Sequence, residues 1–91
     1  MKLLAYARNR KGVALAGLGH DDLATEEFQQ SIELQPGNAW VYFNRAQFHE
    51  LKQDVSAAIA DYRFALENKD PPLRPPKHAR TAGRLRELAK Q

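Results

Sequence analysis

At 91 residues, with a net charge of +3 and no cysteine, the chain is long enough for one domain that buries about 60–65% of the surface its unfolded form exposes. The lack of cysteine excludes disulfide staples and thiolate zinc sites, and it fits a reducing, cytoplasmic home. The longest apolar stretches, LLAYA and VALAGLG, fall far short of the roughly 20 residues a membrane span needs, and no cleavage motif follows a long apolar run near Lys2, so the chain reads as soluble and untargeted.

Apolar residues recur at helical spacing in four blocks. In the first, Leu4, Ala7, Lys11 (through its stem), Ala14, Leu15 and Leu18 form a stripe; in the second, Leu23, Ala24, Phe28, Ser31 and Ile32 do. Gly19 lies between them and can take the left-handed conformation that ends a helix, while Asp21 and Asp22 place carboxylates at the positive end of the next. These signals predict a helical hairpin over residues 3–18 and 22–34. Pro36 then pushes Gln35 out of helical geometry, Gly37 permits a turn, and Asn38 is a good N-cap for a helix starting at Ala39. The third stripe runs through Tyr42, Ala46, His49 and Lys52. Val55, Ala58, Ile59, Tyr62, Ala65 and Leu66 form the fourth, with Asp54 before it as a cap and KDPP as its end.

Beyond Pro72 the composition changes. Pro71, Pro72, Pro75 and Pro76 make a stiff, extended connector, and Pro76 or Lys77 is a reasonable helix start. Ala79, Ala82, Leu85, Leu88 and Ala89 would line one side of that last helix. Arg74, Lys77, Arg80, Arg84, Arg86 and Lys90 stand against Glu87 alone, so residues 73–91 carry +5 and the rest of the chain −2.

Sliding the sequence on itself by 34 residues aligns the two hairpins without a gap. Ala5 meets Ala39, Ala24 meets Ala58 and Glu33 meets Glu67. Tyr6/Trp40, Lys11/Arg45, Gly12/Ala46, Phe28/Tyr62, Ser31/Ala65 and Ile32/Leu66 match in size or type. Small residues at 12/46 opposite 24/58 are what close helix crossing within a hairpin requires. This helix-turn-helix period, with Gly12, Ala24, Phe28, Ser31 and Pro36 in one copy and Tyr42, Ala46, Ala58, Tyr62 and Ala65 in the other, resembles the tetratricopeptide repeat. Arg8, Lys11 and Gln53 depart from its usual aromatic, apolar and Gly residues and suggest an outer, more solvated first helix. The resemblance implies an all-α, right-handed α-solenoid. Residues 1–72 would hold two repeats (5–38 and 39–72), and 73–91 the connector and a basic amphipathic capping helix.

No arrangement for catalysis or metal binding appears. His20, His49 and His78 show no spacing to each other or to acids that resembles a ligand set or a nucleophile–base pair. His49 reads as a packed residue, Asp21–Asp22 and Glu26–Glu27 as a solvated helix face, and the glycines of GVALAGLG do not lie between a strand and a helix. The chain is therefore expected to be a non-enzyme without cofactor or metal.

Stacked hairpins curve, and the first helix of each lines the hollow side. By helical spacing and by similarity to the family, the groove residues are Tyr6, Asn9, Arg10, Val13 and Gly17, then Trp40, Phe43, Asn44, Gln47 and Leu51. Aromatic, amide and cationic groups together suit an extended peptide or a partner's helix. Tyr42 is expected in the hairpin core, Phe43 in the groove and Trp40 in either. The carboxylate clamp that some family members use for chaperone tails is not expected. Only Asn44 matches it, since Asn9 and Val13 occupy the first-repeat positions and Arg74 and His78 only loosely echo the remaining cations.

The leading expectation is thus a protein- or peptide-binding module. Two repeats and a cap form a minimal array, an excised piece of a longer one, or a chain that completes itself by self-association into a homo-oligomer. The alternative is binding of nucleic acid or an acidic partner through the basic last helix with Arg8, Arg10 and Lys11. Nucleic acid is disfavoured because no aromatics interleave the tail cations.

Overall fold

A computed structural model describes residues 2–90 and is all helical there, with α1 at Lys2–Gly17, α2 at Asp21–Leu34, α3 at Ala39–Leu51, α4 at Val55–Glu67 and α5 at Pro75–Ala89. The backbone divides into two compact units, one ending at Pro36 and one beginning at Gly37.

Helix boundaries follow the local chemistry. Gly19 adopts φ +82°, the left-handed turn between α1 and α2. Asn38 Oδ1 accepts from the Trp40 amide at 2.9 Å and caps α3, and Asp54 Oδ1 accepts from the Ala57 amide at 3.2 Å and caps α4. Gln53 turns the chain between α3 and α4 at φ +60°. It is the residue that stands where the family favours Gly, and its left-handed backbone explains that preference. α5 begins on Pro75 and Pro76, whose fixed φ suits a first turn.

In the first unit α1 buries Ala5, Asn9 and Gly12, and α2 buries Ala24, Glu27, Phe28 and Ser31. A Cβ on Gly12 would lie 2.8 Å from ring carbons of Phe28, so only Gly lets the helices approach this closely with the ring in place. Ser31 Oγ donates to the Ala5 carbonyl at 2.7 Å. The stripe expected on α1 is corrected here, because Leu4 and Leu18 are 46% and 72% exposed and Ala7, Lys11 and Ala14 are exposed too. Ala5, Asn9 and Gly12, which follow Leu4, Arg8 and Lys11, make the contact instead.

In the second unit Ala46, Ala58, Tyr62 and Leu88 form one cluster with Phe43, Val55, Ile59 and Leu85 packed on it. Ala39, Ala65 and Leu73 form another, flanked by Trp40, Tyr42 and Phe43. Tyr42, expected in the hairpin core, is instead half-buried at its edge and packs against Phe64, itself 45% exposed, with ring centroids 5.3 Å apart. The connector is tied back onto the start of α3. The Asp70 amide donates to the Gly37 carbonyl at 3.0 Å, the Ala39 amide to the Pro71 carbonyl at 3.1 Å, and Leu73 is 4% exposed.

On α5 the packed face follows expectation at Ala82, Leu85 and Leu88 and departs from it elsewhere. Thr81 and Leu88 are buried and Lys77, Arg84 and Leu85 half-buried, while Ala79 and Ala89 face solvent. Long cationic stems do what alanines were expected to do, since their methylenes cover apolar surface while the charge finds a partner.

Candidate binding site

Among the α1 residues expected to line a groove, Tyr6 is 57% and Val13 43% exposed, and Arg10 is exposed as well. The Arg10 guanidinium donates to the Tyr6 hydroxyl at 3.3 Å and lies 5.8 Å from the ring centroid. Asn9 departs from the expectation. It is 4% exposed and its polar groups are engaged inside the protein, so its amide is not offered to a ligand. The cause is its helical position, which it shares with Ala5 and Gly12.

In the second unit the open faces of α3 and α5 border a hollow of about 590 Å³, lined by Phe43, Gln47, Glu50, Leu51, Tyr62, Arg80, Thr81 and Arg84. Phe43, Gln47 and Leu51 were legible from helical spacing. The rest come from long-range packing of α5.

A charged lock closes the floor of this hollow. Glu50 accepts from the Tyr62 hydroxyl at 2.6 Å and from Arg84 Nε at 3.0 Å and Nη2 at 2.6 Å. Hydrogen bonding from Arg84 holds the Glu50 carboxyl below the usual glutamate range despite its partial burial, and Tyr62 and the Arg84 charge add to this. Burial, then the bond to Glu50, pushes the Tyr62 phenol well above the tyrosine range. Glu50 thereby occupies much of Arg84, and Arg80, exposed on the rim, is the freer cation.

Trp40 is half-buried, and the Lys77 ammonium sits 4.1 Å from its ring centroid and 4.8 Å from that of Phe43. This is the range of a cation–π contact, and burial followed by the Arg80 charge lowers the Lys77 pKa. Of the two aromatics left as candidates for grip, Trp40 is covered by the chain's own lysine, and Phe43 is shared between that lysine and the hollow. Asn44 is half-buried and Gln47 exposed.

Two buried carboxylates, Asp61 and Glu27, gather further cations and brace the hairpins. Arg45 grips Asp61 through Nε at 2.7 Å and Nη2 at 2.9 Å, with His49 Nε2 3.3 Å from the same carboxylate. Glu27 receives Arg8 at 3.0 Å and Lys11 at 3.5 Å. Among the described residues no group of three or more His, Cys, Asp or Glu side chains could hold a metal ion. No described helix is long and apolar enough to cross a membrane.

Two family models of the tetratricopeptide repeat match the chain, over residues 5–38 and 27–60. Tetratricopeptide repeat protein 36 of Homo sapiens is 42% identical over 57 residues, covering 63% of this chain and 30% of that protein. Its Mus musculus counterpart is 41% identical over 56 residues, 62% of this chain and 30% of the relative. The Caenorhabditis elegans protein of the same name is 37% identical over 68 residues, 75% and 38%. The matched part of the chain thus spans about a third of the length of these curated relatives. No solved structure matches it. With its helical hairpins and these matches, the chain belongs to the tetratricopeptide repeat family, whose repeats generally mediate protein–protein interaction.

Proposed function

We propose that this chain is a non-catalytic, cytoplasmic interaction module that holds an extended peptide or a partner's helix against the open face of α3 beside α5. The observation that carries this reading is the α3–α5 hollow. An aromatic edge (Phe43), an amide (Gln47), an aliphatic rim (Leu51) and a guanidinium (Arg80) converge on about 590 Å³ of open space. That mixture supports apolar anchoring together with hydrogen bonding to a peptide backbone or acidic side chain. Asn44, half-buried on the same helix as Phe43 and Gln47, supplies a further contact of this reading.

Nucleic-acid binding by α5 draws less support, because Lys77 lies on aromatic rings and Arg84 on Glu50. The test is affinity capture with the wild-type chain and with a Phe43→Ala/Gln47→Ala variant whose helicity is checked by circular dichroism. A groove function loses its captured partner in the folded variant. Undiminished capture would refute it.

A further inference from the structure

We infer that Lys77 is a modification site and a latch on the α3–α5 hollow. Its ammonium, laid on the Trp40 and Phe43 rings, closes the aromatic end of the hollow; acylation of its amine opens that end, and N-methylation leaves it shut. The inference rests on the reading above for what the hollow holds, and on the second unit alone for the latch.

The path of the chain puts the lysine there. Leu73 is buried against Ala39 and Ala65, and the Ala39 amide donates to the Pro71 carbonyl at 3.1 Å, so the first turn of α5 is anchored beside the first turn of α3. From Arg74 to Arg80 every residue is exposed except Lys77. Its Nζ lies 4.1 Å from the Trp40 centroid and 4.8 Å from that of Phe43. Two helical turns on, the same side of α5 meets α3 again where Arg84 lies 2.6 Å from Glu50. The hollow is bordered by these two cationic ties. Phe43 lines it, whereas Trp40, under Lys77, does not.

The two ties respond differently to chemistry. Arg84 is held by a carboxylate. Lys77 pairs with no carboxylate among the described residues, and its tie is a positive charge on two ring faces. Burial and then the Arg80 charge lower its pKa, which favours the neutral amine that an acyl donor requires. With a thioester, the amine nitrogen bonds to the carbonyl carbon, the carbon–sulfur bond breaks, and the proton lost by nitrogen leaves with the sulfur as a thiol. The amide so formed is uncharged and adds bulk where nitrogen and rings already touch. The side chain then swings out, and the Trp40 and Phe43 faces join the hollow. Methylation keeps the charge and therefore the tie.

Trp40 is the only tryptophan in the chain, so its fluorescence reads the latch. The full chain is prepared with N-ε-acetyllysine or N-ε-methyllysine at position 77, and as Lys77→Gln and Lys77→Arg, with helicity checked by circular dichroism. Acetylation and Lys77→Gln should raise the acrylamide quenching constant of Trp40 about twofold, and methylation and Lys77→Arg should leave it unchanged. Incubating the wild-type chain with an acetyl thioester should place acetyl on Lys77, seen by mass mapping, and raise quenching equally; Lys77→Arg treated alike should show no rise. Unchanged quenching on acetylation, an equal rise on methylation, or a Lys77 left unmodified while Lys69 and Lys90 react would each overturn the inference. None of these readouts uses a partner, so their failure would leave the peptide-binding reading standing, and failure of that reading would leave the latch.

Discussion

Lys11–Glu27 in the first hairpin and Arg45–Asp61 in the second occupy equivalent positions one period apart, yet they live in different surroundings. In the first pair the cation is largely solvated, with a side-chain exposure of 62%. In the second, the cation and carboxylate are 20% and 4% exposed and joined by two short bonds. The same holds at Gly12 over Phe28 and Ala46 beside Tyr62, where one position admits no methyl group and the other carries one. The hairpin interior is thus kept as a pattern of contacts while each copy fits it with its own residues.

Removing the buried carboxylate should have the largest effect. Asp61→Ala strands Arg45, only 20% exposed, and is expected to cost about 3 kcal/mol, whereas Glu27→Ala releases Arg8 and Lys11, 34% and 62% exposed and able to turn to water, and should cost less, about 1–2 kcal/mol. Equal losses in urea denaturation would erase the contrast between the hairpins. At the next contact, Gly12→Ala should destabilise by about 1–3 kcal/mol through the Phe28 ring, although alanine is the better helix former. A gain in melting temperature would show that the ring yields.

The turns sharpen the comparison with smaller effects. Gly19 and Gln53 are equivalent and both left-handed, at φ +82° and +60°. Gln53→Gly should therefore stabilise by about 1 kcal/mol and Gly19→Ala destabilise by a similar amount. Likewise His20, which makes no side-chain cap bond, stands where Asp54 caps α4. His20→Asp should add about 1 kcal/mol, measured by thermal unfolding.

A pH effect should separate α5 from the hairpins. The folded-state pKa of Glu50 is depressed, so its contribution is fully present above the unfolded-state value and is lost as pH falls through the folded-state value. Amide protection factors in α5, corrected for the intrinsic exchange rate at each pH, should fall on acidification through and below the ordinary carboxylate range, ahead of those in α3 and α4, and Glu50→Gln should remove that pH dependence. Uniform loss of protection across the second unit would count against the lock.

Helix bounds were legible because they rest on local chemistry: Gly19, the Pro36–Gly37–Asn38 break, Asp54 and the prolines before α5 act within a few residues of themselves. The packed face of α1 was not, because an apolar count selects Leu4, Leu18 and the alanines, whereas close helix crossing selects Ala5, Asn9 and Gly12 for size. On α5, Lys77, Thr81 and Arg84 were passed over because an apolar count does not register long cationic stems or a buried hydroxyl. Helical spacing could place Phe43 and Gln47 at an open face, but it could not pair Glu50 with Arg84 across 34 positions or lay Lys77 on Trp40. Those contacts depend on where α5 docks.

The most direct test of the central claim is amide shift mapping of the chain titrated with a peptide from its captured partner. The account predicts that the largest shifts fall on Phe43, Gln47, Leu51, Arg80 and Thr81 and vanish in Phe43→Ala/Gln47→Ala. Tight binding that leaves these five residues unshifted would contradict it.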